Sequence, residues 1–513
     1  MTAPIAGLQA HANHSPERVA VAFEPVRDAL APATCSYGEL DARSRALAGH
    51  LRSAGLKLGE TVALLCENRI EFLESCWAAQ RAGLLYVPIP TGLTEAEARF
   101  LIEDSAARVL ISTDRQADLA TAIAPDGPGN LLVGGRLDGF GDYEAAISSA
   151  APLVDQREGA PLLYSSGTSG RPKGIQPSLP QVPWDSDDAL AARFRTTYSM
   201  EPGDVFLSPA PLYHSAPLLY CMAAHRVGAT VVLLDRFDAR GALEVIERWR
   251  VTHSQWVPTM FQRLLDLPLA DRDRFDLSSH RVAIHGAAPC PVEMKQRLID
   301  WWGPIVWEYY SASERVGVTS ISPMEWLAKP GSVGRGIVGT PHICDENGDE
   351  LPSGEIGTVW FSGGPDFSYR NAPDQTAATR NSRGWRTVHD LGWLDDDDYL
   401  FLADRRSDLI ITGGINVYPR EVEIALLAHS DVGDVAVVGV PDERFGSSVI
   451  AIVEPAPGRT VDIASLAAHC SEHLATYKHP KRIVIVDRLP RTDTGKLRRR
   501  DLIAQFESTQ LTT

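Results

Sequence analysis

The sequence predicts an α/β protein with a large N-terminal domain of layered α/β subdomains, a β-rich part at its end, and a small α+β C-terminal domain. In the first half, short apolar runs alternate with amphipathic segments, whereas Gly-rich extended runs dominate after about residue 330. The 513 residues also exceed what one hydrophobic core usually supports. We expect residues 1–404 to form the first domain, β-rich from about 331, and residues 405–513 the second.

The alternation in the first half is typical of strands and helices that build a parallel sheet. Apolar runs predict buried strands at 61–65, 86–89, 108–111, 231–234 and 282–284. Between them, the apolar stripe of residues 71–82 predicts a helix. Ser36 and Glu39 have the spacing of a capping box, so a second helix is expected from there to about residue 51.

The second half reads as extended structure followed by a compact α+β unit. Residues 331–363 are rich in Gly, and the run 357–361 predicts a strand. Four consecutive aspartates at 395–398 predict a hairpin turn before the apolar run 399–402. Pro419 is a favourable first residue for a helix, and Val422, Ala425 and Leu426 follow it at helical spacing.

Composition narrows the class of protein. A net charge of −17 disfavours nucleic acid and anionic membranes as partners, and no apolar run approaches the ~20 residues of a membrane span. The N-terminal residues lack the basic patch and apolar core of a secretory signal. Seven cysteines without a C-x-x-C pair argue against a disulfide framework, so we expect a cytoplasmic protein.

The run from Ser165 to Gly174 predicts a phosphate-binding loop. Glycines let the backbone approach an anion, while N–H and hydroxyl groups can donate to phosphate oxygens. Lys173 adds a positive point charge. A Ser- and Gly-rich linker is the alternative, but the loop follows an apolar strand candidate and ends in the specific order Pro172-Lys173-Gly174. The spacing differs from that of a Walker P-loop.

This loop resembles the phosphate loop of the adenylate-forming superfamily, which contains acyl- and aryl-CoA synthetases, luciferases and peptide-synthetase adenylation domains. Further motifs follow in the family's order over nearly the whole chain, at 211–214, 308–314, 385–390, 404–408, 413–414 and 490–496. The resemblance implies an AMP-binding domain and a mobile C-terminal domain that rotates between two half-reactions.

The resemblance also assigns roles to residues. It implies that nucleotide phosphates meet the loop residues Ser165, Ser166, Gly167, Thr168, Ser169, Gly170 and Lys173. The nucleotide would further contact Tyr310, Ser313, Asp390 at the ribose, and Arg405. Glu314 would hold Mg²⁺, Lys496 would neutralise charge during adenylation, and coenzyme A would approach Gly413 and Gly414.

The acid site is less sharply indicated. By resemblance His214 gates the acid channel, although a packed core histidine is the alternative. The acyl pocket is expected from Trp256, Thr259, Met260, His285, Gly286 and Ala287, where small residues would leave depth for a bulky acid. Arg315 stands where a small residue is commoner in the family, which raises the hypothesis of a polar or second carboxylate group on the acid.

Together the motifs predict an ATP- and Mg²⁺-dependent carboxylic acid–CoA ligase that forms an acyl-adenylate and then a thioester. The expected substrate is a fatty, aryl or other bulky hydrophobic acid, and a homodimer is compatible with the sequence. Alternatives are an adenylation enzyme that loads a carrier protein and a non-catalytic nucleotide-binding relative. The latter would account for departures from the family pattern at Ser311, Val388, His389 and Ser407.

Overall fold

The structure is a computed structural model that describes most of the chain. The described residues are 6–26, 31–127, 129–165, 172–179, 182–405, 408–412, 415–442, 446–491, 497–499 and 501–503. The helices of these residues are Leu8–His14, Tyr37–Ser53, Ile70–Arg81, Glu95–Ser105, Ala117–Ile123, Tyr143–Ser149, Ala189–Thr196, Ser215–Val227, Ala239–Trp249, Pro258–Leu265, Leu269–Arg272, Val292–Trp302, Pro323–Ala328, Pro373–Ala377, Pro419–Leu427 and Ile463–His473. Within those ranges, no helix combines the length and apolar character needed to cross a bilayer.

Two large sheets form the first part of the chain. A six-stranded sheet is parallel throughout, in the spatial order Gly141–Asp142, Leu131–Val133, Ala107–Thr113, Thr61–Leu65, Leu85–Pro88 and Ala160–Pro161. A nine-stranded sheet has the order Arg335–Val338, Val318–Ile321, Val306–Ser311, Val282–His285, His253–Trp256, Val205–Ser208, Thr230–Leu234, Val19–Glu24 and Ala33–Ser36. Its central strands are parallel, and antiparallel strands close both edges.

Smaller sheets follow. The strands Leu163–Ser165, Lys173–Gln176 and Ser368–Tyr369 form one antiparallel sheet, and Thr340–Cys344, Gly357–Ser362, Asp390–Leu394 and Leu400–Arg405 form another. Towards the C-terminus, Ile410–Thr412 pairs with Ile415–Val417, and a separate sheet contains Val432–Asp442, Gly446–Pro455 and Arg482–Ile485.

The predicted fold class is confirmed, and several elements match closely. The expected strand at 61–65 is observed as Thr61–Leu65, and the expected helix at 71–82 as Ile70–Arg81. The capping box is present, because Glu39 N donates to Ser36 Oγ at 3.2 Å and Ser36 N donates to Glu39 Oε2 at 2.7 Å. The expected domain boundary at 404/405 stays a prediction and falls at the last residue of the strand Leu400–Arg405.

A buried histidine fixes the helix Ser215–Val227 against the nine-stranded sheet. His225 is fully buried; its Nδ1 accepts from Trp77 Nε1 at 3.0 Å, and its Nε2 donates to the Ala20 carbonyl at 3.1 Å. These two partners hold the neutral ring with its proton on Nε2, because a second proton on Nδ1 would displace the Trp77 bond. Burial lowers the pKa of His225 to about 4.

We expect acid to destabilise the protein partly through His225. The unfolded chain binds a proton there below about pH 6.5, whereas the folded protein binds it only near pH 4, so falling pH favours unfolding in this window. The share of His225 is about 2 kcal/mol between pH 7 and pH 5. Urea unfolding of wild type and His225→Gln at both pH values measures it. An equal pH dependence in both proteins, or an NMR titration of His225 near pH 6.5, would contradict this account.

Candidate active site

A central cleft of about 3860 Å³ runs along the carboxyl ends of the nine-stranded sheet and continues to residues of the C-terminal part. Pockets for one small ligand are usually about 300–1,000 Å³, so this cleft has room for several ligands at once. Its lining includes Lys173, Tyr310, Glu314 and Asp390. The residues that the sequence assigns to a nucleotide therefore share one cavity with residues assigned to the acid.

A β-hairpin presents the ends of the phosphate-loop candidate. The strands Leu163–Ser165 and Lys173–Gln176 are antiparallel, with Ser165 directly opposite Lys173. The loop therefore starts and ends at one place on the cleft wall. The remaining loop residues assigned from sequence lie outside the described residues: Ser166, Gly167, Thr168, Ser169 and Gly170.

Asp104 anchors this hairpin to the six-stranded sheet's layer. The Tyr164 hydroxyl donates to Asp104 Oδ2 at 2.7 Å, and Asn371 Nδ2 donates to Oδ1 at 3.0 Å. Arg370 Nε donates to the Asp104 carbonyl at 2.6 Å. The helix Glu95–Ser105 thus fixes two segments that flank the loop, although they lie far apart in sequence.

The Glu314 carboxylate lies at the mouth of the hairpin. Its Oε1 accepts from the hydroxyls of Ser165 at 3.1 Å and Tyr369 at 2.9 Å, and the residue is 8 % exposed. The ring of Tyr369 also lies 4.9 Å from Lys173 Nζ, a cation–π distance. Oε2 accepts no hydrogen bond from the described residues, so the second oxygen is available for a ligand.

The residues fit a Mg²⁺ ion carried by a nucleotide. Mg²⁺ prefers one or two carboxylates together with phosphate oxygens and water over an all-protein cage. Among the described residues, no group of three or more His, Cys, Asp or Glu side chains could hold a metal alone. Glu314 Oε2 beside the phosphate hairpin is the kind of single carboxylate ligand that such an ion uses.

A second hairpin brings the other nucleotide candidates together. Tyr310 Oη donates to Asp390 Oδ2 at 2.6 Å, and Asp390 is paired in register with Arg405 across the hairpin. His389 has a φ of 64°, in the left-handed region that glycine adopts without strain. Of Arg405 only the backbone is described.

A charged group is buried under the motif strand Val306–Ser311. Lys295 Nζ lies 2.7 Å from Glu308 Oε2, His285 Nε2 lies 3.4 Å from the same oxygen, and Lys295 is fully buried. Burial by itself raises the pKa of Glu308, but the Lys295 and His285 charges outweigh it and lower the pKa to about 2. Burial lowers the pKa of His285. The pair ties the helix Val292–Trp302 to the strand that leads to Tyr310 and Glu314.

Comparison with known proteins identifies the family to which the chain belongs. The sequence profile described as AMP-binding enzyme matches residues 8–366, and that described as AMP-binding enzyme C-terminal domain matches residues 421–496. The chain belongs to the AMP-binding enzyme family.

Individual relatives cover almost the whole chain. It is similar to the feruloyl-CoA synthase of an Amycolatopsis species, at 34 % identity over 92 % of this chain and 94 % of that protein. The fatty acid–[acyl-carrier-protein] ligase ScoC of Streptomyces coeruleorubidus is 30 % identical over 97 % of this chain and 95 % of its own length. The ATP-bound structure of MatB from Rhodopseudomonas palustris matches with a TM-score of 0.84 at 28 % identity, covering 98 % of this chain and 99 % of MatB.

Within this AMP-binding enzyme, the acyl-pocket candidates divide into two groups. Thr259, Met260 and Ala287 line the central cleft. Trp256 instead packs in the core, with its ring centroid 5.5 Å from that of Trp302. His285 is buried beside Glu308. Each is the last residue of its strand, and both side chains are fully buried.

Gly286 also has a role that differs from the expected one. A Cβ at this position would come 2.6 Å from Cε1 of Tyr309, so the missing side chain makes room for an aromatic ring of the protein. Ser311, one of the departures from the family pattern, donates its hydroxyl to the Gly317 carbonyl at 2.9 Å and closes its own loop. Depth for a bulky acid must therefore come from other parts of the cleft.

Two further candidates have a described position, and four lie outside the described residues. His214 and Ser313 line the cleft, and His214 directly precedes the helix Ser215–Val227 with its ring 4.7 Å from that of Tyr213. Their roles stay predictions. The catalytic candidate Lys496, the unusual residue Ser407 and the coenzyme A candidates Gly413 and Gly414 lie outside the described residues.

Sequence reasoning missed Tyr369, Asp104 and Lys295. No local pattern marks them: Tyr369 meets the hairpin through a two-residue strand, and Lys295 is read as an ordinary surface lysine of an amphipathic helix. Their partners are distant in sequence, so only the folded chain shows what they do.

We expect Lys295→Met to destabilise the protein by about 3–5 kcal/mol, because it leaves the Glu308 charge buried without its cation. Urea unfolding measures the loss, and adding Glu308→Gln should restore part of it. Lys329→Met is the matched control, since Lys329 pairs with Asp395 and Asp397 at the surface and should shift the midpoint much less. Equal shifts in the two single variants would refute the buried-pair account.

Proposed function

We propose that this chain is an ATP-dependent carboxylic acid–CoA ligase that works in two steps. The acid first attacks the α-phosphate of ATP to give an acyl-adenylate and pyrophosphate, and the thiol of coenzyme A then displaces AMP. The observation that carries the proposal is the Glu314 carboxylate, fixed by Ser165 and Tyr369 at the phosphate hairpin inside the cleft that also contains Asp390. Family membership supports the same reaction.

In the first step, different residues would bind the phosphates, the Mg²⁺ ion and the ribose. Lys173 and the loop that it ends would bind the phosphates, and Glu314 would hold the Mg²⁺ that neutralises them. Asp390, kept in place by the Tyr310 hydroxyl, would accept hydrogen bonds from the ribose. Positioning of this kind brings an anionic acid next to an anionic nucleotide, which is the main barrier of the reaction.

The second step needs a different partner in the same cleft. Lys496 would reach the carboxylate and α-phosphate during adenylation, and rotation of the C-terminal domain would then withdraw it and bring Gly413 and Gly414 to the thiol arm. His214 would gate the acid channel between the steps.

The seven cysteines are free thiols, which supports a cytoplasmic enzyme. A homodimer stays a prediction.

A carrier protein is the second candidate for the thiol. ScoC, which is named as a ligase to an acyl carrier protein, aligns with nearly the whole chain. Coenzyme A and the phosphopantetheine of a carrier protein share the same reactive arm, so the acyl-adenylate half of the proposal is common to both.

The decisive experiment is pyrophosphate release from ATP with a panel of short, long-chain and aryl acids, with and without coenzyme A. We expect one acid class to support release, and coenzyme A to convert it into multiple turnovers. Lys496→Ala should slow adenylation by about 10²-fold or more. Turnover that a phosphopantetheinylated carrier supports better than coenzyme A would favour the second candidate, and full activity of Lys496→Ala would overturn the mechanism.

A charge-specific variant tests the metal role. Glu314→Gln keeps an acceptor for Ser165 and Tyr369 but removes the negative charge, so we expect the Mg²⁺ concentration for half-maximal activity to rise about tenfold. Tyr369→Phe is the control: it removes one hydrogen bond and keeps the charge. If both variants raise the Mg²⁺ requirement equally, the carboxylate acts on loop geometry and not on the metal.

A further inference from the structure

Arg315 and Arg193 line the central cleft without a carboxylate partner among the described residues, as do Arg263, Arg297 and Arg488. Arg315 directly follows Glu314, and Arg193 lies on the helix Ala189–Thr196; both line the cleft. Arg226 lines the same cleft but differs from these arginines, because it is paired with Glu158 and with Asp188. A guanidinium offers five donors that prefer carboxylate or phosphate oxygens.

The backbone holds Arg315 in an uncommon conformation. Its φ is 54°, in the left-handed region that few residues with a side chain adopt. The turn is closed by Arg315 N, which donates to the Ala312 carbonyl at 2.9 Å, and by the Ser311 hydroxyl on the Gly317 carbonyl. Strained backbone of this kind persists where its surroundings fix it, often at ligand sites. The exposed Arg315 side chain is reached from the cleft.

The carboxylates of Asp188 and Glu158, which line the same cleft, are already bound to other residues. The Asp188 carboxylate acts on Arg315 electrostatically, but its Oδ1 accepts from Ala191 N at 2.7 Å and its Oδ2 lies 3.0 Å from Arg226 Nε. Glu158 is bound by Arg226 and by Gln80.

Tyr86 also acts on Arg315 electrostatically. The Tyr86 hydroxyl is directed to Met222 Sδ at 3.2 Å, and both residues line the cleft. A purely hydrocarbon acid would cover Arg315 and leave its donors unpaired, which costs free energy. An acid with a second carboxylate would satisfy them.

We propose that the substrate is a dicarboxylic acid whose second carboxylate binds Arg315, with Arg193 adding positive charge on the same cleft. The inference rests on the proposed ligase function and specifies its substrate. One carboxylate is left for adenylation beside Glu314, and the carbon skeleton between the two lies along Met222 and Tyr86. A guanidinium can hold the distal carboxylate through two parallel hydrogen bonds, which selects both charge and orientation.

The test compares matched acids on the full-length protein. Octanoate is set against octanedioate, and cinnamate against 4-carboxycinnamate, with kcat/KM taken from AMP formation. We expect wild type to prefer the diacid by at least about 10-fold in one pair, the effect of a charge-assisted hydrogen bond. Arg315→Gln should lower that preference at least about 10-fold, mainly through KM, while Arg315→Lys retains part of it and Arg193→Gln reduces it less.

Arg108→Gln is the matched control, because Arg108 is exposed, pairs with Glu60 at 2.9 Å and is not among the residues that line the cleft. It should leave the diacid preference unchanged. Wild type that uses the monoacids equally well, or an Arg315→Gln variant that slows both acids alike, would overturn the inference and leave the ligase intact. Absence of AMP formation with every acid would instead remove the ligase proposal itself, and this inference with it.

Discussion

The arrangement of the site depends on the Glu314 carboxylate and the two hydroxyls that donate to it. Ser165 belongs to the phosphate hairpin, Tyr369 to a strand from a later part of the chain, and Glu314 to the loop after the motif strand. One oxygen thus joins three segments, while the other is left for a ligand. Because an unpaired buried carboxylate is costly, the hydrogen bonds from Ser165 and Tyr369 both stabilise Glu314 and fix its position in the site.

A buried ion pair is the second interaction on which the site depends. Lys295 and Glu308 are buried together, so each is the counterion of the other. Such a pair contributes little net stability compared with apolar residues, but breaking it is expensive. The pair holds the helix Val292–Trp302 against the strand Val306–Ser311. The position of the site depends on this contact, because the same strand leads to Tyr310 and Glu314.

The cleft shows how an acidic protein handles anionic ligands. With a net charge of −17, the molecule as a whole repels them, so attraction must be local. Arg226 is neutralised by its acidic neighbours, whereas Arg315 and Lys173 present charge to the cleft. The difference between a structural cation and a binding cation lies in the partners, which sequence does not display.

The sequence by itself determined the elements, the order of the motifs and the family, because these depend on short-range patterns: Ser36 with Glu39 for a helix start, the Ser/Gly loop before Lys173, and Glu314 and Asp390 in their runs. Only the tertiary structure decided which side chains meet. Trp256 and Gly286 were expected at the acid and instead pack in the core, and Tyr369 and Lys295 gained roles that no local pattern indicated. The physical reason is that burial and pairing depend on contacts between residues remote in the chain, and these contacts exist only once the layers have packed.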